Sequence, residues 1–312
     1  MNLNKDEFEP FFNPNTISDC KDLLEIYTGF FLSIITDQTS NEEKLIENKE
    51  AKLVLQMMMT RCANLKNTLD GLNFKNKNIH LREIIDPTII SSLVRSIYEM
   101  TGMFNLIFIN TKDSNEQKIL YLLWVHAGLA YRQRFTSLMR SKENTEKIET
   151  ELKQMQDIVL EIKNNEKYKN LNERNQEKIQ NRIDKKEYLI EFIGNEVSFL
   201  RWKDLVNTMG ITKYNAEQIY TYFSLYSHPS NVSVFQFATM FNDKKQTNEL
   251  ILFNLQLAVS FFSIFTTDYI RLFPKSIKIF EELPLKNQII INFYNSFARG
   301  RGFDINDALE KL

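Results

Sequence analysis

One stretch of the sequence combines residue types that can transfer protons and bind anions. It runs from Tyr220 to Ser230, reads Tyr-Thr-Tyr-Phe-Ser-Leu-Tyr-Ser-His-Pro-Ser, and holds one of only three histidines. Pro229 lacks a backbone N–H and disfavours the α conformation at the residue before it, so a helix is predicted to end at or just before His228. The imidazole at this helix end can act as a general acid or base, or it can simply donate to the last helical carbonyls.

An ion pair is predicted on an earlier helix. Arg95 and Glu99 are four residues apart in an otherwise apolar stretch, so a helix places both on one face. If that face is buried, the charges must pair or contact other polar groups; if it is exposed, they form a surface salt bridge of small energetic value. With His228, these two residues are the predicted catalytic candidates.

Further candidates for ligand binding lie on the next predicted helix and in the downstream stretch: Trp124, Arg132, Tyr222, Tyr226 and Ser230. The planar guanidinium of Arg132 matches phosphate oxygens, although the residue can equally be the polar end of an ordinary helix. His126, on the same helix, is more typical of a hydrogen-bonded core residue than of a catalyst.

Common catalytic and metal-binding motifs are absent from the sequence. It contains no Walker glycine loop, dinucleotide fingerprint, His-Glu-x-x-His, paired Cys-x-x-Cys or Gly-x-Ser-x-Gly. Cys20 and Cys62 are far apart and are expected to be small buried hydrophobes in a reducing compartment. We therefore predict no metal site and no cofactor.

The composition favours a helical protein with balanced charge. Glycine and proline number only 8 and 6, and Lys+Arg at 39 nearly equals Asp+Glu at 40, so no overall field attracts nucleic acid or an anionic membrane. Leu250–Ile270 is long enough to span a membrane, but its polar side chains favour a central core helix. No export signal is recognised, and we expect a cytoplasmic protein without a membrane partner.

Apolar residues at helical spacing predict an all-α, multi-helix bundle. Helices are expected at about 17–37, from a capping box at Ser40 and Glu43 to about 72, from Asp86-Pro87 to about 110, from a capping box at Ser114 and Gln117 to about 140, from 212 or 213 to 228, at 250–273, and near 276–283 and 286–298. Residues 71–80 and 229–245 are predicted as loops, and no strand is predicted.

A charged segment interrupts the predicted bundle. Residues 142–187 are rich in Glu, Lys, Asn and Gln, with a polar turn at 164–172. A narrow apolar stripe precedes this turn, and a second stripe follows it, made of Ile179, Ile183, Ile190 and Ile193. This pattern predicts a protruding antiparallel helical hairpin inserted between the two halves of the bundle, residues 1–141 and 188–312. The hairpin is either a solvated spacer or an arm for a partner protein or for self-association.

The combination of Ser92-Leu-Val-Arg-Ser-Ile-Tyr-Glu99, Arg132 and Tyr222-Phe-Ser-Leu-Tyr-Ser-His-Pro-Ser230 resembles an uncharacterised family of bacterial all-helical proteins, catalogued only as a domain of unknown function. The resemblance covers roughly residues 50–270 and implies that Arg95, Glu99 and His228 converge, but it implies no activity. A more distant resemblance, through the helical bundle alone, is to the HEPN superfamily of helical ribonucleases and nucleotide-binding domains. The HEPN signature is an arginine followed four to six residues later by a histidine, and no histidine here follows an arginine at that spacing.

Two classes of function follow. The first, favoured by the charged hairpin and the missing catalytic motifs, is a cytoplasmic bacterial interaction or regulatory protein in a phage-defence or stress system. The second is a helical enzyme or effector that acts on RNA or binds a nucleotide in a pocket formed by Arg95, Glu99, Arg132 and His228. Convergence of the Arg95, Glu99 and His228 side chains in one cleft is the observation that distinguishes the second class.

Overall fold

The computed structural model describes residues 8–38, 45–135, 142–212 and 216–311, and most of them are helical. The helices in chain order are α1 (Glu9–Phe12), α2 (Ile17–Gln38), α3 (Ile46–Thr68), α4 (Pro87–Phe108), α5 (Ser114–Gln133), α6 (Lys142–Asn164), α7 (Glu166–Asn170), α8 (Glu173–Lys185), α9 (Leu205–Thr208), α10 (Ala216–Ser227), α11 (Asn231–Asn242), α12 (Lys244–Leu272), α13 (Ile277–Glu281) and α14 (Leu285–Arg299). Two antiparallel hairpins pair β1 (Leu72–Asn76) with β2 (Ile79–Ile84) and β3 (Ile190–Ile193) with β4 (Glu196–Phe199). The predicted all-α, multi-helix fold is confirmed.

The chain divides into two compact units. The first consists of Met1–Asn105 and Val206–Leu312, and the second consists of Leu106–Leu205. The charged segment 142–187 lies wholly within the second unit.

Helix α12 forms the core of the first unit. Within the described part of the chain it is the one helix long and apolar enough to cross a membrane, and 78% of its apolar window is buried in the protein. The ring of Phe265 packs against Phe31 of α2 and Phe104 of α4, with centroids 5.8 Å and 4.8 Å away. Such burial is what the predicted core helix requires.

The boundaries of the helices that hold the catalytic candidates follow local chemistry. Asp86 Oδ1 accepts a hydrogen bond from the backbone N–H of Thr88 at 2.8 Å and caps the start of α4, in front of Pro87. Helix α10 ends at Ser227, as the His-Pro sequence predicts. Its predicted start is at 212 or 213, and residues 213–215 lie outside the described ranges. The predicted capping box at Ser40 and Glu43 also lies outside them.

Two local predictions about the helices are wrong. Helix α5 is capped by the carboxylate of Asp113, one position before the predicted Ser114. The predicted loop at 229–245 is mostly helix α11, because Ser230 Oγ accepts from the N–H of Ser233 and starts a new helix directly after Pro229.

The expectation that the chain has no strand is also wrong. Residues 71–80, predicted as a loop, form most of the β1–β2 hairpin, where the apolar alternation is limited to Leu72 with Phe74 and Ile79 with Leu81. Ile190 and Ile193 were predicted to extend a helical stripe but belong to β3. The cause is Lys186, whose left-handed φ of 61° ends α8 before these residues.

The charged segment 142–187 forms helices α6, α7 and α8. Helices α6 and α8 both pack against α5 of the same chain. This packing buries Ile158 and Ile162, whereas Leu152 and Leu160 stay 46% and 58% exposed. The apolar residues of α6 are therefore only partly covered within the chain.

Candidate functional site

Arg95 of α4 stands at the centre of a polar cluster in the first unit. Its Nε donates to Glu99 Oε1 at 2.9 Å and its Nη2 donates to Tyr220 Oη at 2.6 Å. Its Nη1 lies 3.5 Å from His228 Nε2. The structure thus brings together Arg95, Glu99 and His228, the three predicted catalytic residues, and adds Tyr220 to them.

Aromatic packing positions the two helices that form this cluster. The Arg95 guanidinium lies over the Tyr220 ring, 4.8 Å from its centroid. Tyr98, one turn after Arg95 along α4, is fully buried, and its ring lies 5.9 Å from Tyr220 and 6.4 Å from Phe223 of α10. These contacts hold α10 against α4 and position Tyr220 beside Arg95.

The ion pair is neither fully buried nor fully exposed. The side chains of Arg95 and Glu99 are 19% and 30% exposed. The pair therefore lies between the buried pair and the surface salt bridge that the sequence leaves open. Burial, together with the Glu99 charge, raises the pKa of Tyr220 against the opposing effect of Arg95. The phenol therefore stays protonated near neutral pH, so it can accept from Arg95 and still donate its own O–H.

His228 also lines a groove of about 670 Å³ in the first unit. Ser92 and Ser96 of α4, which flank Arg95 in the sequence, contribute hydroxyls to its lining. Ser227 Oγ, also in the lining, is buried and has no hydrogen-bond partner among the described residues. The apolar part of the lining comprises Ile89, Leu93, Tyr226, Pro229, Val234 and Phe237. His228 thus borders a space large enough for a small ligand, and a buried, unpaired hydroxyl belongs to the same lining.

The downstream binding candidates have different environments. Tyr226 lines the groove, as expected of a binding residue. Tyr222 Oη instead accepts from Asn254 Nδ2 at 2.8 Å, and burial raises the pKa of Tyr222. Ser230 caps α11 and donates to the carbonyl of Leu225 at 2.8 Å. Tyr222 and Ser230 are therefore occupied by contacts within the fold.

The candidates of the second unit are placed in two ways. Arg132 donates through Nε and Nη2 to the carboxylate of Glu151, whose side chain is 7% exposed. Its guanidinium compensates a buried charge, which leaves the predicted phosphate contact without support. Trp124 lines a separate cavity, described below. His126 is buried, and burial lowers its pKa with a further contribution from Lys186.

The described residues hold no group of three or more His, Cys, Asp or Glu side chains that could bind a metal ion. Cys20 and Cys62 are both buried as free thiols, and burial raises the pKa of each to about 12. Comparison of the chain with family models, curated proteins and solved structures gives no match. The geometry around Arg95 is therefore the observation that bears on function.

Proposed function

We propose that the protein is a helical effector that binds a phosphate-bearing ligand, RNA or a nucleotide, at the groove beside Arg95, with His228 as its proton-transfer group. The observation that carries this proposal is that Arg95 contacts both Glu99 and His228, and that His228 lines the groove. This is the second of the two classes of function that the sequence leaves open.

Arg95 is suited to phosphate because its guanidinium is held in place before a ligand arrives. Glu99 and Tyr220 hold two of its nitrogens, Nε and Nη2, through hydrogen bonds of 2.9 Å and 2.6 Å. The third contact, to His228 at 3.5 Å, is at the long limit of a hydrogen bond, so a ligand oxygen can replace it at little cost. An arginine fork matches phosphate oxygens in geometry as well as charge.

His228 is exposed, and a neutral imidazole nitrogen can accept a proton as a general base does. With RNA, neutral His228 takes the proton of a ribose 2′-hydroxyl while that oxygen attacks the adjacent phosphorus. The bond from phosphorus to the 5′-oxygen then breaks, water protonates the leaving oxygen, and a cyclic phosphate remains. Arg95 stabilises the extra negative charge on the phosphoryl oxygens.

The experiment is an RNA cleavage assay with purified protein and labelled single-stranded RNA. His228→Ala is expected to lower the cleavage rate about 100-fold or more, because the general base is lost. Arg95→Ala should lower it as well. His80→Ala, which changes an exposed histidine of β2 in the same unit, is the matched control and should cleave like wild type.

Circular dichroism of each variant checks folding, and expression in cells adds growth and RNA integrity as readouts. RNA that stays intact with wild type, or equal cleavage by wild type, His228→Ala and Arg95→Ala, would refute the enzymatic role. Retained RNA or nucleotide binding by wild type without cleavage would restrict the function to binding.

A second candidate function is self-association through the 142–187 segment, as an interaction or regulatory protein would use it. The observation in its favour is the exposure of Leu152 and Leu160 on α6. Light scattering after gel filtration tests it: Leu152→Glu with Leu160→Glu should convert a dimer to a monomer, and Leu32→Glu, at an exposed leucine of α2, should not. A wild-type protein that is monomeric at high concentration would contradict this candidate. The setting in a defence or stress system stays a prediction.

A further inference from the structure

A second cavity, of about 690 Å³, lies in the Leu106–Leu205 unit. Its volume is within the range of roughly 300–1,000 Å³ that small-molecule sites occupy. Its walls come from α5, from the end of α8 with the turn after it, and from the residues that follow β4. The lining combines four aromatic rings, which belong to Trp124, Tyr131, Tyr188 and Trp202.

The rings leave room for a flat ligand. Trp202 and Tyr188 meet edge to face, with centroids 6.2 Å apart. On the α5 wall, Gly128 lies one turn after Trp124, and a Cβ at this glycine would meet no atom within 4 Å. Glycine destabilises a helix interior relative to alanine. Here it leaves the space beside Trp124 open.

The same cavity carries an excess of positive charge. Five cations line it, namely Arg134, Arg182, Lys185, Lys186 and Arg201, against one lining carboxylate, Glu187. Arg182 pairs with Glu187, and Arg201 pairs with Asp204.

The other three cations have no carboxylate partner. Arg134, Lys185 and Lys186 make no ion pair with any carboxylate in the part of the chain that the structure describes, and Arg134 lies 5.2 Å over the Tyr131 ring. In a protein with a net charge of −1, three unpaired cations at one cavity concentrate a local field that attracts anions. Arg182 Nε is in addition buried without a hydrogen-bond partner.

We propose that this cavity binds a nucleoside phosphate, with the base stacked on the tryptophan rings and the phosphates held by Arg134, Lys185 and Lys186. Aromatic rings stack on any base, and cationic side chains bind phosphate oxygens through charge-assisted hydrogen bonds. A free nucleotide and one nucleotide of a single-stranded RNA share this chemistry. The site is independent of the Arg95 groove and does not require it to be active.

Intrinsic fluorescence reports on this cavity selectively, because the chain has two tryptophans and both line it. The titration uses ATP, adenosine, tripolyphosphate and a single-stranded RNA 12-mer, with excitation at the red edge of tryptophan absorption. Saturable quenching by ATP identifies a free nucleotide as the source, and quenching by the RNA without ATP identifies an RNA strand. Adenosine and tripolyphosphate are expected to bind at least about tenfold more weakly than the ligand that combines both groups.

Two kinds of variant locate the binding. Lys185→Gln with Lys186→Asn removes two charges, and asparagine tolerates the left-handed backbone at 186; the dissociation constant should rise at least about tenfold. Lys153→Gln with Lys163→Asn makes the same charge change at exposed lysines of α6 and should bind like wild type. Gly128→Leu fills the cavity without changing charge and should abolish quenching.

The proposal is overturned if no ligand quenches the tryptophans, if tripolyphosphate binds as tightly as ATP, or if both cavity variants bind like wild type. Arg95→Ala should leave this binding unchanged. Failure of the Arg95 site and failure of this cavity are therefore distinguishable.

Discussion

Asp268 of α12 and Arg299 of α14 form a bidentate ion pair inside the first unit. Each carboxylate oxygen accepts from a guanidinium nitrogen at 2.7 Å, and the two side chains are 1% and 0% exposed. Asn105 Nδ2 donates to Asp268 Oδ2 at 2.8 Å. Because neither charge reaches water, each depends on the other for its compensation.

Asp268→Asn keeps the size of the side chain but leaves the Arg299 charge buried without its counter-charge. Breaking a buried pair in this way costs about 3–5 kcal/mol of unfolding free energy. For a unit of roughly 200 residues, each kcal/mol lowers the melting temperature by about 2–4 °C, so the expected fall is about 6–20 °C. Replacing both partners, as Asp268→Leu with Arg299→Met, removes the desolvation cost of both charges and should recover much of the loss.

The assay is thermal and urea unfolding followed by circular dichroism. Asp22→Asn, at an exposed aspartate of α2, is the control and should change stability by less than about 0.5 kcal/mol. A loss below about 1 kcal/mol for Asp268→Asn, or a double variant as unstable as the single one, would refute the reasoning.

Three further predictions concern groups away from the candidate site. Burial raises the pKa of Cys20 and Cys62 to about 12, so neither thiol should react with iodoacetamide at pH 8 until the protein is unfolded; rapid labelling of the native protein would contradict this. Burial and Lys186 lower the pKa of His126, so the unfolded chain binds the proton more readily, and stability is lost as pH falls through about 6.5 and further towards the folded pKa. Between pH 7.5 and 5.5 the wild type should therefore lose more stability than His126→Gln, and an equal loss in both would argue against it. Gly71 has a φ of +74°, and an added Cβ would lie 2.6 Å from the Glu83 backbone, so Gly71→Ala should lose more than about 1 kcal/mol in urea unfolding, whereas Gly29→Ala, in open space on α2, should not.

The catalytic candidates could be predicted because each has a local signature. The four-residue spacing puts Arg95 and Glu99 on one face, and Pro229 places His228 at a helix end. Tyr220, Tyr222 and Tyr226 are the same residue type at different angular positions around α10. Their angular positions identify the one that contacts Arg95 only when the face of α10 that packs against α4 is known. The sequence therefore could not single out Tyr220, or exclude Tyr222.

Contacts between distant segments decide the surroundings of the other candidates. Arg132 has the residue type of a phosphate ligand, but Glu151, which binds it, lies on a helix whose return onto α5 has no sequence signal. The β1–β2 hairpin was not predicted because its apolar alternation, Leu72 with Phe74 and Ile79 with Leu81, extends over only two apolar residues in each strand. The resemblance to the uncharacterised bacterial family stays a prediction.

In the proposed function, Arg95, held by Glu99 and Tyr220, presents a phosphate to His228. The most direct test is NMR of the protein labelled at its histidine rings, since only three histidines contribute signals. An RNA dinucleotide with a 2′-O-methyl group, which blocks cleavage, is added to wild type and to Arg95→Lys. The account predicts that the His228 signal shifts in wild type and shifts far less in Arg95→Lys, while the His80 signal stays in place. A His228 signal that does not move, or that moves equally in both proteins, would contradict it.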